Sequence, residues 1–223
     1  MTVTDLVGPH VVLLATGGTI SSRASEAGGA AVASDTGEQV FASMGVPAAH
    51  PVRVFDVFRK GSYLLTVGDM IAICDAIREA LADPQVMGVV RTHGTDTMEE
   101  TAYLVDLTHD DPRPVVFTGA QQAADADSPD GPGNLSRAIA VAGSPRARGI
   151  GVLLAFAGSI FPAAGVRKRH TTSLDAFANP DFGTVGSVSD SGEVEIQPVR
   201  PGLPPLPLPG ADAGSPRVDL IAA

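Results

Sequence analysis

Short, unbroken apolar runs alternate with segments of helical periodicity along most of this 223-residue chain. Each run has the length of a strand, and its continuous apolar character is typical of a strand covered on both faces. The alternation predicts an α/β fold, namely a three-layer αβα domain with a mostly parallel, flavodoxin-like or Rossmann-like sheet. The predicted strands are VVLLA (11–15), MGVVRT (87–92), PVVFTGA (114–120) and GIGVLLAF (149–156).

The helices between these strands have signals of their own. Thr66 and Asp69 form a capping-box pattern, and apolar residues then recur at helical spacing. Two further helices are predicted over 98–107 and 135–142. Cys74, the single cysteine, lies in the first of the three helices and is predicted to be a small core residue, so no intrachain disulfide can form.

The C-terminal part of the sequence differs in kind. Alternating residues around Asp-Ser-Gly in 185–197 predict a β-hairpin. Prolines and glycines dominate 198–216 and predict an extended interdomain linker, while RVDLIAA (217–223) has the character of a first strand. We therefore expect one domain over 1–197, a linker over 198–216 and the start of a second domain over 217–223, as in the front part of a longer protein or a chain that depends on a partner.

Composition and charge exclude several classes of function. The net charge is −10, from 15 basic and 25 acidic residues, which argues against a nucleic-acid partner because phosphate binding needs a basic surface. No stretch of the sequence has the roughly 20 apolar residues of a membrane helix, and the N-terminal residues lead us to expect no secretory signal. We expect a cytoplasmic protein with no membrane partner. The histidines lack metal-ligand spacing, and no metal is predicted.

Three predicted strands are followed or ended by glycine-containing polar segments. They are TGGT (16–19), THGTD (92–96) and TGA (118–120). Ligands of an open α/β sheet bind beyond the carboxyl ends of the strands, so these segments are expected to share one rim. TGGT could equally be a tight turn or a phosphate loop, although it matches neither G-x-G-x-x-G nor a Walker A pattern. A flavin- or nucleotide-binding domain fits the architecture as an alternative.

The second rim segment carries a hydroxyl and a carboxylate. Asp96 could simply cap the following helix, unless Thr97 takes that role. A hydroxyl such as that of Thr95 is a poor nucleophile until a base removes its proton. Lys168 is the candidate base or relay, and the alternative is a solvated surface charge. His93 could be interpreted as the histidine of a Thr–His–Asp triad. Adjacent side chains on a strand point in opposite directions, however, and we interpret His93 as a structural residue.

Several segments together resemble the bacterial-type L-asparaginase family, which includes the asparaginase–glutaminases. LATGGTI is similar to the family's first threonine signature, and THGTDTMEETAYLVDL is similar to its second, which is long and specific. GVRKRHTTSLDAF resembles the segment that carries the family's lysine, and SPDGPGNL resembles another recurrent loop. The similarity extends from about Val11 to the end of the chain.

The resemblance implies hydrolysis of a side-chain amide to a carboxylate and ammonia, without a metal or an organic cofactor. Thr19 would attack the amide carbonyl and form an acyl-enzyme. Thr95, linked through Lys168, would assist proton transfer and activate water. The implied substrate is L-asparagine, with L-glutamine as a second option. Family analogy also implies a homo-oligomer, either a dimer or a tetramer.

The resemblance implies a set of substrate-binding residues as well. Asp96 would bind the substrate ammonium group, since a rim carboxylate suits that charge. Ser62 would hold the α-carboxylate, and Tyr63 beside it is counted in the same set. The backbone carbonyl of Ala120 would accept from the amide nitrogen, and N–H groups near Gly94 would stabilise the oxyanion.

Two departures from the family pattern bear on activity. The family has a mobile loop after the first threonine, often with a tyrosine, but residues 21–40 contain no tyrosine and have the Gly, Ala and Ser content of a flexible lid. The family's smaller C-terminal domain, which completes the active site in the dimer, is expected to be absent beyond its first strand. A truncated, inactive domain that binds an amino acid or only associates with itself is therefore the alternative function. The amide-hydrolysing subunit of a tRNA-dependent amidotransferase shares the motifs and is a further alternative.

Overall fold

The computed structural model describes residues 8–24, 31–197 and 204–208. The strands in these ranges are β1 (His10–Ala15), β2 (Ser22–Arg23), β3 (Val32–Ala33), β4 (Val52–Asp56), β5 (Val86–Thr92), β6 (Val115–Thr118), β7 (Val152–Phe156), β8 (Ser159–Pro162), β9 (Arg167–Lys168), β10 (Phe177–Ala178), β11 (Gly186–Val188) and β12 (Val194–Ile196). The α-helices are α1 (Gly37–Ala42), α2 (Val67–Leu81), α3 (Met98–Thr108) and α4 (Gly131–Gly143). None of the helices in the described ranges is both long and apolar enough to cross a membrane.

Eight strands form one sheet in the order β12-β11-β8-β7-β6-β5-β1-β4. The strands β4, β1, β5, β6 and β7 are parallel to one another. Numbered in chain order, these five strands lie as 2-1-3-4-5, which is the flavodoxin-like arrangement. The strands β8, β11 and β12 extend the sheet in antiparallel pairing. The predicted α/β class is confirmed, and β11 with β12 forms the predicted hairpin.

Two apolar cores lie on the two faces of this sheet. Helices α1 and α4 cover one face, and α2 and α3 cover the other. Along β1, Val11 and Leu13 enter the first core, whereas Val12 and Leu14 enter the second. The run VVLLA is unbroken because both of its faces are buried, as the sequence predicted.

The capping box at the start of α2 forms as predicted. The Thr66 hydroxyl accepts a hydrogen bond from Asp69 N, and the Asp69 carboxylate accepts one from Thr66 N at 2.9 Å. A hydrogen bond from Lys60 and those from Thr66 hold the pKa of Asp69 at about 2. Cys74 is a buried free thiol on the apolar face of the same helix, as expected.

Several elements and regions differ from the predictions or lie outside them. The edge strand β4 and the short helix α1 were not predicted, because half-exposed edge residues and a six-residue helix leave weak periodicity. The predicted lid over 21–40 contains the β2–β3 hairpin and α1, and its residues 25–30 lie outside the described residues. The predicted strand over 217–223 and all of the linker except 204–208 also lie outside them, so the domain boundaries stay predictions.

Candidate functional site

The carboxyl ends of β1 and β5 are neighbours at the centre of the parallel sheet, with Ala15 opposite Thr92. The chain leaves β1 toward the face covered by α1 and leaves β5 toward the face covered by α3. The two following loops therefore diverge and leave a crevice at the point where the strand order reverses. Ligands of doubly wound sheets bind at such a point.

The loop after β1 is braced around one peptide group. Gly18 has a φ of 84°, in the left-handed region that glycine adopts readily. Its carbonyl accepts hydrogen bonds from Ser21 N, Ser21 Oγ and Ser22 Oγ, and its N–H donates to Lys60 O. These bonds hold the half-buried Thr19 at the start of a short 3-10 turn. The Thr19 hydroxyl makes no hydrogen bond with any of the described residues.

Two glycines bring the loops after β1 and β5 into contact. A Cβ placed on Gly18 would lie 2.5 Å from both Cα and N of Gly94, and a Cβ on Gly94 would lie 2.6 Å from Ser62 Oγ. Neither position has room for a side chain. Since Thr19 and Thr95 directly follow these glycines in the chain, the two threonines lie on adjoining loops, with Ser62 next to them.

Lys168 reaches the second of these loops from β9. Its Nζ donates to Thr95 Oγ1 and to Asp96 Oδ1, each at 2.7 Å, and its side chain is only 15% exposed. Its backbone N–H donates to the Glu99 carboxylate on α3. Asp96 is 58% exposed, and its second oxygen makes no hydrogen bond within the described part of the chain. The lysine is therefore a partner of the threonine and not a solvated surface charge.

Gln121 completes the environment of Thr95 and was not predicted from the sequence. Its Oε1 accepts from Thr95 Oγ1 at 3.0 Å, and its Nε2 donates to the carbonyls of Thr171 and Ser173 at 3.0 and 3.1 Å. The sequence placed the neighbouring Ala120 on the shared rim, but no local pattern indicates which amide side chain would turn toward the Thr95 hydroxyl. The Thr95 hydroxyl thus lies between a lysine donor and an amide acceptor.

The other predicted substrate-binding residues lie at different depths. Ser62 is 3% exposed, and its carbonyl accepts from Thr97 Oγ1 at 2.9 Å. Thr97 occupies the N-cap position of α3 without a side-chain cap bond, so Asp96 does not cap that helix. Ala120 is buried at the end of β6. Tyr63 is 71% exposed, and its ring lies over Gly61.

His93 and Arg91 are buried beneath the crevice. His93 Nδ1 donates to Gly94 O at 2.7 Å, and burial together with the Arg91 charge lowers its pKa to about 3. This geometry supports the structural interpretation over a triad, because the ring is bound to backbone. The Arg91 guanidinium has no hydrogen-bond partner among the described residues, and burial lowers its pKa to about 9. The predicted strand over 87–92 includes Arg91, but the complete burial of its side chain was not predicted.

The side chains gathered at the crevice define the chemistry that it can support. Two threonine hydroxyls, one ammonium, one carboxylate and several backbone N–H groups are suited to nucleophilic attack and proton transfer at a carbonyl. Within the described ranges, no group of three or more His, Cys, Asp or Glu side chains is arranged to hold a metal ion. The fold and this site define an α/β domain with a hydroxyl-based site at its switch point.

Comparison with known proteins gives the family. The asparaginase N-terminal family model matches residues 10–200, and the chain belongs to the asparaginase family. It is 36% identical over 180 residues to an L-asparaginase of Bacillus licheniformis, covering 81% of this chain and 56% of that protein. It is also 36% identical over 192 residues to L-asparaginase 2 of Bacillus subtilis (strain 168), covering 82% and 50% of the two chains.

A solved structure agrees with the sequence matches. The crystal structure of a probable cytoplasmic L-asparaginase from Campylobacter jejuni superposes with a TM-score of 0.75 at 33% identity, covering 85% of this chain and 57% of that one. The chain spans about half the length of the curated relatives that it matches.

Proposed function

We propose that this chain carries the catalytic threonines of an L-asparagine amidohydrolase, which converts the side-chain amide to L-aspartate and ammonia through a threonine acyl-enzyme. The observation that supports this most directly is the contact between Gly18 and Gly94, because it joins the Thr19 loop to the Thr95–Lys168 pair. Family membership supports the same reaction, since the relatives named above are L-asparaginases.

In the proposed first step, Thr19 Oγ attacks the amide carbonyl carbon, and the C–N bond breaks to release ammonia. The absence of a hydrogen bond from the Thr19 hydroxyl to any described residue is consistent with a group free to approach substrate. N–H groups of the adjoining glycine loops would stabilise the developing oxyanion, and one such donor is worth about 3–4 kcal/mol in other enzymes. The nucleophile's proton would leave with the amine.

In the proposed second step, water attacks the ester and releases the carboxylate product. The C–O bond to Thr19 would break as water adds, and Thr95 would relay a water proton to the departing Thr19 oxygen, passing on its own hydroxyl proton as it receives one. The Lys168 ammonium, 2.7 Å from Thr95 Oγ1, would stabilise charge that develops on that oxygen. Restoring the Thr19 hydroxyl completes the cycle. Neither step consumes a cofactor.

The ammonium and carboxylate groups on the α-carbon of the substrate are assigned to two residues, one with a carboxylate side chain and one with a hydroxyl. Asp96 uses one oxygen for Lys168 and has a second oxygen for the substrate ammonium, and its exposure suits a group that meets ligand. Ser62 Oγ, beside Gly94, is assigned to the α-carboxylate. Asparagine and glutamine differ by one methylene, worth about 1–3 kcal/mol in a pocket, and asparagine is proposed as the preferred substrate.

Assembly and location belong to the same proposal. The side chains of Tyr63, Leu64 and Val67 are 71, 59 and 57% exposed beside Ser62, which is the kind of apolar surface that a second chain or domain covers. We propose a homo-oligomer on that basis and on family analogy. A cytoplasmic location is proposed from the C. jejuni relative.

Ammonia release from L-asparagine tests the proposal. Thr19→Ala, Thr95→Val and Lys168→Met should each reduce kcat/KM by orders of magnitude, while Thr184→Ala at an exposed threonine remote from the crevice should not. Unchanged rates in both threonine variants would rule out the mechanism.

The alternative is a domain that binds an amino acid without turning it over. The coverage of about half of the relatives favours it, because residues outside this chain could complete the site in those proteins. Calorimetric titration with L-aspartate alongside the turnover assay separates the two functions. Binding without turnover supports the alternative, and ready hydrolysis dismisses it.

A further inference from the structure

We propose that a second cleft, between β1, β4 and α2, binds an α-amino acid with an apolar side chain. The cleft has a volume of about 470 Å³ and lies along the edge of the sheet, where β4 is the outermost strand. Leu14 and Phe55 form one wall, and Ala76 and Ala80 of α2 form the other. The two alanines leave the space open, and the volume is within the range of about 300–1,000 Å³ found for small-molecule sites.

Two residues that line this cleft each carry a buried polar atom without a hydrogen-bond partner in the described part of the chain, and in the neutral form of the histidine the two atoms have opposite hydrogen-bonding character. His10 is 1% exposed, and its Nδ1 bonds the Gly8 carbonyl at 2.9 Å. Since a carbonyl only accepts, Nδ1 carries a proton, and in the neutral imidazole Nε2 then presents a lone pair. His10 Nε2, an acceptor, and Arg53 Nε, a donor, both lack a hydrogen bond to any residue that the structure describes.

Asp83 lies between these two groups without satisfying either one. Its Oδ2 is 3.9 Å from His10 Nε2 and 3.6 Å from Arg53 NH1, both beyond hydrogen-bond distance. Buried polar groups are normally hydrogen-bonded, and a buried polar atom left without a partner is destabilising. A ligand that carries a donor and an acceptor close together would satisfy all three residues at once.

An α-amino acid has this arrangement. Its ammonium group would bridge His10 Nε2 and Asp83 Oδ2, its carboxylate would meet the Arg53 guanidinium, and its side chain would lie against the alanines of α2. Asp83 and Arg53 cancel in charge, which suits a zwitterion. Asp56 and Glu79 also line the cleft and disfavour an acidic side chain. The cleft is therefore expected to take leucine and to reject aspartate.

Calorimetric titration with L-leucine tests this inference. We expect millimolar or tighter binding, weakened about tenfold or more, which is 1.4 kcal/mol or more, by Arg53→Met and by Asp83→Asn. Arg148→Met, at an exposed arginine outside the cleft, is the matched control and should bind like wild type. L-Leucinamide lacks the carboxylate and 4-methylpentanoate lacks the ammonium group, so both should bind more weakly than leucine.

A cavity-filling variant covers the case in which a polar variant fails to fold. Ala76→Leu keeps a good helix former and should block leucine while leaving the thermal unfolding midpoint close to that of wild type. The absence of leucine binding to wild type, or equal binding to Arg53→Met and wild type, would overturn the inference. Neither result bears on the switch-point crevice, which is monitored separately by L-aspartate binding.

Discussion

Replacement of Gly18 by alanine tests whether the contact between the two glycine loops sets the geometry of the crevice. The new Cβ would lie 2.5 Å from the backbone of Gly94, whereas carbon atoms in contact are about 3.5–4.0 Å apart. The loops must therefore separate by about 1 Å. Since Gly18 has a φ of 84°, the side chain also adds about 1–3 kcal/mol of backbone strain.

The separation of the loops and the backbone strain have different measurable effects, the first on activity and the second on stability. A misplacement of about 1 Å between reacting groups can cost 10²-fold in rate, so kcat/KM for ammonia release from L-asparagine should fall about 100-fold. That loss corresponds to about 2.7 kcal/mol of transition-state stabilisation. Backbone strain alone lowers the unfolding midpoint, by about 2–4 °C for each kcal/mol in a chain of this size.

Gly149→Ala separates strain from displacement. Gly149 has a φ of +77°, and a Cβ there would have nothing within 4 Å. This variant should show a lowered midpoint with an activity within about twofold of wild type, because only the strain applies. The reasoning is refuted if Gly18→Ala keeps wild-type activity and L-aspartate affinity, or if Gly149→Ala loses activity to the same extent.

Three other substitutions probe the surroundings of the site. Arg91→Met should raise the free energy of unfolding by about 1–4 kcal/mol in chemical denaturation, because it removes a buried guanidinium without a hydrogen-bond partner among the described residues. A marked loss of stability would instead show that the contact of this group with the Phe58 ring is important. Asp69→Asn should cost about 1 kcal/mol at pH 7, because it removes a carboxylate charge that pairs with Lys60 and lies at the N-terminus of α2. The folded-state pKa of Asp69 is about 2, below its usual 3.8, so the stabilisation by its carboxylate is present above pH 4. The difference in unfolding midpoint between wild type and variant should vanish as the pH falls from 4 toward 2. The control is Asp75→Asn, at an exposed carboxylate on the same helix, which should show no such trend. Gln121→Leu removes the bonds to the Thr95 hydroxyl and to the Thr171 carbonyl, so it should lower kcat/KM about tenfold or more and increase protease cleavage within residues 170–173. Gln122→Leu is the control and should do neither. Equal behaviour of the two variants would argue against a positioning role for Gln121.

The sequence predicts those features that depend on burial and on strand direction. The run at 11–15 is unbroken because both faces of β1 are covered, and the shared rim follows from parallel strands ending at one edge. The contact between Gly18 and Gly94 could not be predicted from the sequence, because it depends on how two loops are positioned relative to each other. Arg91 lies in the predicted strand over 87–92, but the sequence does not indicate that its side chain is fully buried, because burial at one position depends on the elements that pack over it.

The two halves of the crevice are held together by different means, and this difference matters for how the site works. Lys168 is fixed by the Glu99 carboxylate on α3, the helix that starts just after Thr95, so one rigid element sets the distance between the ammonium and that hydroxyl. Thr19 is held instead by the hydrogen bonds of the Gly18 peptide within its own loop and to Lys60, together with the contact of Gly18 with the opposite loop. In the proposed mechanism, the Thr95–Lys168 pair is therefore positioned by α3 and β9, whereas Thr19 depends on the bonds and packing of its own loop.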